Sequence, residues 1–327
     1  MPDIFGAILW PIKWVVELIL VAFHWLLTNI GLDPDAGLTW VLSIVGLVLV
    51  IRAALIPIFV RQIKSQRRMM EVAPQLKKIQ DKYKGKKDQF SREAMSRETM
   101  AMYKDTGTNP LSSCLPLLIQ MPIFFSLFSV LSHAQNHAVN VKNGVETAGV
   151  GLLNDDLSKS FGDASLFDIA PLHLAMSTAD GNVWVIVIAA IMVVLMTASQ
   201  FITQLQIMSK NQSKEMKESP MFKQQRVLLY LLPLVFAFSG FAFPLGVMFY
   251  WLTSNAWTMV QQFLVIRNLP TPGSQAAFER EARLARKRQR RGIPEPISET
   301  PLVEEPKKVQ RAQPVGKNRS KKQGGKK

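Results

Sequence analysis

Apolar runs alternate with strongly polar segments along the whole chain, and this alternation predicts its secondary structure. Five apolar runs approach or exceed the length of about 20 residues that a helix needs to cross a bilayer. They cover about residues 38–60, 110–131, 183–207, 227–243 and 247–266. We therefore predict an all-α polytopic membrane protein whose five-helix transmembrane core occupies residues 38–266.

An earlier apolar segment, residues 4–30, is interrupted by Pro11, Lys13, Glu17 and His24, and it carries three tryptophans. Tryptophan prefers the membrane–water interface. We therefore expect residues 1–37 to form an interfacial or partly membrane-embedded helix and a loop, packed on the outer side of the bundle. A true membrane span over residues 4–30 is the alternative.

The charges of the polar segments predict the side of the membrane on which each lies. Residues 61–105 hold 13 Lys and Arg against 6 Asp and Glu, and their apolar residues recur at helical spacing. This pattern predicts a helical hairpin with a break at residues 84–87. The loop 132–182 holds only 2 basic residues against 6 acidic ones. The positive-inside rule places the hairpin in the cytoplasm and the loop outside.

The C-terminal segment 267–327 contains 17 Lys and Arg against 6 Asp and Glu, with many prolines and little apolar content. This composition predicts a disordered basic cytoplasmic tail, with a short basic helix over residues 281–291. Such a run can bind the phosphates of ribosomal RNA, and attraction to anionic lipid headgroups is the alternative. The residues expected to make these contacts are Arg283, Arg286, Lys287, Arg288, Arg290 and Arg291.

Arg52 lies inside the first predicted span, where an arginine costs roughly 2.5–3.5 kcal/mol on insertion scales. A lipid-facing arginine would gain nothing for that cost. We therefore expect Arg52 to face a polar or water-filled cavity. The alternative is that its side chain snorkels to the cytoplasmic interface, because the basic hairpin begins nearby at Arg61.

Polar residues in the other spans recur at helical spacing and form stripes on apolar helices. One stripe holds Ser254, Thr258 and Gln261, with Asn255 beside it; a second holds Thr197 and Gln200, and a third Gln120. Together with Arg52 they could line one hydrophilic groove. For any single residue, hydrogen bonding between helices is the alternative.

The sequence shows no set of residues for covalent chemistry, so we expect the protein not to be an enzyme. It has no phosphate-binding loop, no Ser-His-Asp order and no paired carboxylates within the spans. His133 and His137 are spaced for a metal, but a third ligand at a convincing spacing is missing. We therefore expect neither a metal nor a cofactor. The single cysteine, Cys114, excludes an internal disulfide.

Two segments resemble the membrane protein insertases of the YidC, Oxa and Alb type. They are NPLSSCLPLLIQMPIFFSLFSVL from residue 109 and FPLGVMFYWLTSN from residue 243; the stretch from residue 51 resembles the family's first core helix and hairpin. The resemblance covers about residues 38–268. It implies five core helices around a groove that is open to the cytosol and to lipid and is capped by the hairpin.

The resemblance also implies roles for particular residues. Arg52 matches the groove arginine of the family, and Gln120, Tyr250 and Trp251 match groove or substrate-facing positions. Ser113 stands where glycine is frequent, and Val48 where some relatives carry threonine. The chain lacks the large periplasmic domain of some relatives and an N-terminal cysteine for lipidation, which suggests a compact, actinobacterial-like form.

These features predict an insertase and folding chaperone of the bacterial plasma membrane, with a cytoplasmic C-terminus. It would insert nascent apolar segments, alone or with the Sec translocon, without covalent catalysis. The expected partners are nascent membrane proteins, the ribosome, the Sec translocon, the signal recognition particle or its receptor, and anionic lipids. The alternatives are a membrane channel or transporter, and an assembly chaperone without insertion activity.

Overall fold

The structure, a computed structural model, describes residues 4–86, 88–108, 115–142, 151–211 and 240–292, together with Val227, Leu231 and Phe238. Apart from one short β-ribbon, the described elements are helices. The long helices are α1 (Ile4–Asn29), α2 (Gly37–Glu71), α5 (Leu115–Lys142), α7 (Val183–Lys210) and α8 (Leu245–Asn268). The shorter helices are α3 (Ala73–Lys82), α4 (Gln89–Asp105), α6 (Asp155–Asp163) and α9 (Gln275–Arg290).

Four helices among the described residues are long and apolar enough to cross a membrane. They are Leu9–Asn29 within α1, Gly37–Ser65 within α2, Leu118–Gln135 within α5, and Val183–Lys210, which is α7. The predicted all-α polytopic membrane fold is confirmed. Of the predicted fourth span, 227–243, the part from 228 to 239 lies almost entirely outside the described residues. The predicted fifth span corresponds to α8, which is 24 residues long.

The long helices pack around one apolar core. α8 packs on both α7 and α2, while α1 packs on α2 and α5. The fully buried side chains at these contacts include Leu20, Trp40, Ile44, Leu127 and Met248. These side chains hold the helices together mainly through close van der Waals packing, because lipid chains are as apolar as the side chains themselves.

Helix ends differ from the predicted span ends in ways that the local sequence explains. α2 continues past residue 60 to Glu71, because the basic stretch that follows has no glycine or proline to stop it before Pro74. α5 runs to Lys142, eleven residues into the loop predicted from residue 132. Likewise, residues 267–292, predicted as the start of a disordered tail, include the last two residues of α8 and all of α9.

The predicted hairpin arms correspond to α3 and α4, which pack on each other. The turn between them contains Gly85, whose φ of +85° is readily available only to glycine. Asp88 caps the start of α4, where its carboxylate accepts a hydrogen bond from the amide of Ser91 at 2.8 Å.

The segment 151–182, predicted only as a loop, has ordered structure that caps the starts of α7 and α8. After α6, strands β1 (Ser165–Leu166) and β2 (Ala170–Pro171) pair antiparallel. The residues that follow bind the start of α8: the amides of Leu245 and Gly246 donate to the carbonyls of Leu174 and Leu172, at 3.0 and 2.9 Å. These bonds satisfy helix donors that have no side-chain cap, because the residue before the helix is Pro244.

The same segment is joined to α1 through Glu17, which is buried. Its carboxylate accepts a hydrogen bond from the amide of Leu152 at 2.9 Å. Gly151 lies so close that a Cβ atom there would be 2.0 Å from Glu17 Oε2. By length and composition α1 could itself cross a membrane. Its placement at the outer interface therefore stays a prediction.

Candidate functional site: a polar cluster between three helices

Arg52 is half-buried on α2 and points towards α8. Its guanidinium donates a hydrogen bond to the hydroxyl of Ser254, a residue with only 4% of its surface exposed. The guanidinium carbon also lies 5.8 Å from the centre of the Phe59 ring, which is within reach of a cation–π interaction. The charge is thus held between two helices at a position well inside a helix long enough to span a bilayer.

Tyr250 lies one helical turn from Ser254 on α8, and it is also buried. Its hydroxyl accepts a hydrogen bond of 2.6 Å from the side-chain amide of Gln120 on α5. We call Arg52, Gln120, Tyr250 and Ser254 the polar cluster. Its members come from three helices that are far apart in sequence, and two direct hydrogen bonds join them in pairs.

Aromatic side chains adjoin the polar cluster on one side. The ring of Phe124 stacks on that of Trp251 with centroids 5.0 Å apart and an interplanar angle of 5°. Phe243 meets Trp251 edge-on at 4.8 Å, and Phe128 meets Phe243 edge-on at 5.8 Å. We call these four residues the aromatic layer. Such geometries are worth about 0.5–1.5 kcal/mol per pair beyond the burial of area.

The register of the helices orders these groups along the bundle axis. On α5, Gln120 precedes Phe124 by four residues and Phe128 follows by another four, and each step is about 6 Å along the helix. On α8 the direction is reversed, because Phe243 precedes the helix while Ser254 lies nine residues into it. The aromatic layer therefore lies towards the end of the bundle that segment 151–182 covers. The polar cluster lies towards the hairpin end.

The other predicted groove residues lie outside the polar cluster. Asn255 is half-buried beside Ser254, and Trp251 belongs to the aromatic layer. Thr197 and Gln200 are half-buried on α7, and within the described part of the chain neither makes a hydrogen bond to the polar cluster. Thr258 on the predicted α8 stripe donates to the carbonyl of Ser254 within its own helix, at 2.8 Å.

The predicted tail contacts lie on or next to α9. Arg283, Arg286, Lys287 and Arg290 are exposed on this helix, Arg288 is half-buried, and Arg291 follows directly after it. The predicted basic helix over residues 281–291 therefore falls largely within α9. Six positive charges within nine residues form a continuous basic segment.

Sequence reasoning did not select Phe124 and Phe243 as site residues, although both lie in the quoted family segments. The available signal was spacing: Phe124 is four residues after Gln120 and therefore on the same helix face. The carbonyls of Leu172 and Leu174 were also missed, because backbone groups leave no signature in side-chain patterns.

Outside the predicted spans, the hairpin carries an ion pair. Lys82 on α3 and Glu98 on α4 approach to 2.5 Å at an exposed position. The hydrogen bond from Lys82 lowers the pKa of Glu98 below its usual value, and the same bond raises the pKa of Lys82. The amide of Ser91 lowers the pKa of Asp88 in the same way. The pair of Lys82 and Glu98 thus connects the two arms of the hairpin electrostatically.

The match to known proteins extends over most of the helices described above. A family model described as 60Kd inner membrane protein matches residues 31–272. This range contains the polar cluster, the aromatic layer and the hairpin.

The chain is also similar over nearly its whole length to individual proteins. It is 43% identical over 327 residues to a protein of Tropheryma whipplei (strain Twist), covering 98% of this chain and 97% of that protein. It is 36% identical to a protein of Bifidobacterium longum, covering 96% and 95%. A Streptomyces avermitilis protein is 45% identical over 287 residues, which are 84% of this chain and 62% of that protein. All three are named membrane protein insertase YidC.

Proposed function

The chain belongs to the 60Kd inner membrane protein family, and we propose that it inserts the apolar segments of nascent membrane proteins into the membrane. It is a multi-pass protein of the bacterial membrane. The observation that carries the proposal is the polar cluster. It places a fixed positive charge among hydroxyl and amide groups on helices that are otherwise apolar.

Arg52 is the group that contacts the incoming chain. A guanidinium has five N–H donors in a fixed fork, and the bond to Ser254 uses one of them. We propose that the other donors bind carbonyl or carboxylate oxygens of the substrate transiently. In a bilayer such oxygens otherwise lack partners, at a cost of several kcal/mol each. A charge that offsets part of this cost lowers the barrier for moving a short polar segment.

Gln120 and Tyr250 extend the polar surface by one helical turn from Ser254. Both groups can exchange the hydrogen bond between them for bonds to a passing backbone. We propose that these residues, together with Asn255, Thr197 and Gln200, line a hydrated groove that opens towards the cytosol. The polar segment then crosses only the remaining thickness of hydrocarbon.

The aromatic layer marks the proposed outer end of the groove. Its three phenylalanine rings offer no strong hydrogen-bonding group, and the four rings pack on one another at 4.8–5.8 Å. Water gains nothing by entering such a cluster. The ordered segment 151–182 lies beyond this layer and supports closure of the bundle on that side.

Release needs no covalent step. Once its polar flank has crossed, an apolar client segment leaves sideways, because lipid buries its surface at roughly 25 cal/mol per Å². The binding of the polar flank is reversible, so the energy for insertion comes from the client's own transfer into hydrocarbon. This supports an insertase that also acts as a folding chaperone for the released helix.

The basic segments support a cytoplasmic position for the hairpin and the C-terminus. We propose that the basic residues of α9 and the segment after it contact ribosomal RNA, since counterion release favours such binding. The ribosome would then deliver clients directly, with the signal recognition particle, its receptor and the Sec translocon as further partners. Anionic lipids compete for the same charges.

The test is reconstitution of the purified full-length protein in liposomes with a nascent single-span client and no ion gradient. We expect protease-protected insertion by the wild type and by Arg68→Ala, a matched control at an exposed position on the same helix. Arg52→Ala should insert the client poorly. Ion flux without insertion would indicate a channel or transporter instead. Protection of an already inserted client from misfolding, without insertion, would indicate an assembly chaperone.

A further inference from the structure

The turn of the β-ribbon on the outer segment holds a bulky residue in an unfavourable conformation. Phe167 and Asp168 are the central residues of the turn, and their φ angles are +53° and +60°. Turns with two positive φ angles are normally built from Asn and Gly, because a side chain with a bulky Cβ substituent is strained there. Phe167 is nevertheless 70% exposed, so packing within the chain does not account for its presence.

The turn is fixed rigidly at the ends of two membrane helices. The side-chain amide of Asn182 donates to the carbonyl of Ile169 at 2.9 Å, while its oxygen accepts from the amides of Trp184 and Val185 at the start of α7. On the other side, a Cβ at Gly37, the first residue of α2, would lie 2.4 Å from the carbonyl of Ser165. The turn therefore lies at the level at which α2 and α7 begin.

That level is where a helix leaves the hydrocarbon. Both helices are long and apolar enough to span a bilayer, and both carry basic residues near their other ends. Residues around the turn expose apolar side chains: Ile169, Val183 and Trp184 are 39%, 64% and 55% exposed. Tryptophan at such a level is typical of the aromatic belt of membrane proteins. The exposed side chains of the turn thus continue the lipid-facing surface of α7.

We propose that the turn Leu166–Ile169 is a membrane anchor, in which Phe167 and Ile169 insert into the glycerol–acyl boundary of the outer leaflet. The backbone strain at Phe167 is then the cost of holding its ring against lipid at a fixed height. A strained residue with an exposed ring is expected where that ring contacts something outside the chain. The contact is apolar rather than electrostatic, because the neighbouring exposed charge is the acidic Asp168. It should therefore not require anionic lipid headgroups.

The anchor would fix the outer segment relative to the bilayer. Because the residues after β2 supply the carbonyls that cap α8, the height of the start of α8 would be set by the same contact. The layer of hydrocarbon between the groove and the outer surface, which a client must still cross, would then keep a constant thickness.

The experiment uses the full-length protein with Cys114→Ser in liposomes, with an environment-sensitive fluorophore on Asp168→Cys. A matched control carries the label on Asp156→Cys, at an exposed position on α6. We expect a lipid bearing a nitroxide near the glycerol to quench the label at 168 at least about threefold more than at 156, with aqueous iodide showing the reverse. Quenching should be equal in zwitterionic and anionic liposomes. Equal iodide quenching at both positions would overturn the proposal and would leave the turn to water or to a protein partner.

A second arm adds Phe167→Gly to the labelled protein. Glycine relieves the positive φ, so the melting temperature in detergent should rise by about 2 °C, while lipid quenching at 168 should fall to the level at 156. A lower melting temperature with unchanged lipid quenching would show that Phe167 serves the fold, and would overturn the anchor.

Discussion

The guanidinium of Arg52 on α2 is hydrogen-bonded to the hydroxyl of Ser254 on α8, across 202 residues of sequence. The charge therefore points across the bundle rather than along α2 towards Arg61. A snorkelling side chain would have its charged end in water, with the stem along the helix. The bond gives the proposed mechanism its geometry, because it fixes the height of the positive charge relative to Tyr250.

Arg52→Ala should fold, reach the membrane and insert clients poorly, because the groove loses its positive charge. Arg52→Lys should keep much of the activity, since one positive charge remains even without the planar fork. Arg52→Gln is the neutral control that still has a donor for Ser254. Complementation together with a melting curve checks the prediction. Full activity of a stable Arg52→Ala protein would remove the charge from the mechanism.

Replacing one partner of the hydrogen bond between Gln120 and Tyr250 should lower the free energy of unfolding more than replacing both partners. Tyr250→Phe leaves the Gln120 amide without its acceptor, at about 1–3 kcal/mol of folding free energy. Adding Gln120→Met should recover much of that loss, because no polar group then lacks a partner. A double-mutant cycle on unfolding in mild detergent measures the coupling. Additive losses would mean that water already satisfies both groups.

The hairpin should loosen at acidic pH. The pKa of Glu98 is lowered from 4.5 by Lys82, so the stabilisation is present above pH 4.5 and is lost as the pH falls through the lowered value. The pKa of Lys82 is raised from 10.5, so its contribution is lost only as the pH rises above that value. Spin labels at Lys78 and Arg97 should show a broader distance distribution on acidification. In Glu98→Gln the distance distribution should be the same at neutral and acidic pH. If it still broadens on acidification, the broadening comes from Asp88 or another acidic residue.

Removing residues 281–327 should weaken ribosome binding while leaving the rest of the chain folded. The cut is placed after Arg280 because Thr271, Ser274 and Ala276 are buried, so a cut at 267 would damage the packing. Cosedimentation over a salt series measures the affinity and its salt slope. The control replaces Arg283, Arg286, Lys287 and Arg290 with glutamine, which preserves helix propensity. If the wild type, the truncated protein and the glutamine variant bind ribosomes with equal affinity and an equal salt slope, this segment makes no contact with the ribosome.

Impermeant thiol labelling should place segment 151–182 and the hairpin on opposite sides of the membrane. In a Cys114→Ser background, Asp156→Cys should react in intact cells, and Lys86→Cys only after the membrane is opened. Gly151 is a poor labelling position, because its φ is positive and a Cβ there would collide with Glu17. Reaction of Lys86→Cys in intact cells would invert the topology and remove the cytosolic groove.

Much of the architecture could be predicted from the sequence, because its main determinants are local. Apolar runs and charge bias depend on composition within about 20 residues, and they predicted the helices α2, α5, α7 and α8. The break at Gly85 and the two hairpin arms also follow from local pattern. Helix ends were less predictable: no local signal stops α5 at residue 131, and it continues to Lys142.

The details of the site depend on contacts between distant segments, which periodicity does not encode. Helical spacing put Ser254 and Thr258 on one stripe, but Ser254 meets Arg52 while Thr258 bonds to its own helix. The aromatic layer needed the antiparallel register of α5 and α8, which places Phe124 on Trp251. The order within segment 151–182 rests on backbone bonds, and these can be formed by almost any residue.

The first amides of α8 have no cap of their own and depend on carbonyls contributed by a segment about 70 residues earlier in the chain. This dependence sets an order for the biogenesis of the protein itself. On the proposed topology, residues 151–182 must already be on the outer side of the bilayer before the final helix can settle, since otherwise the amides of Leu245 and Gly246 lack these acceptors. On the proposed topology, a chain whose acidic outer segment has not crossed lacks these two acceptors and cannot complete its own bundle.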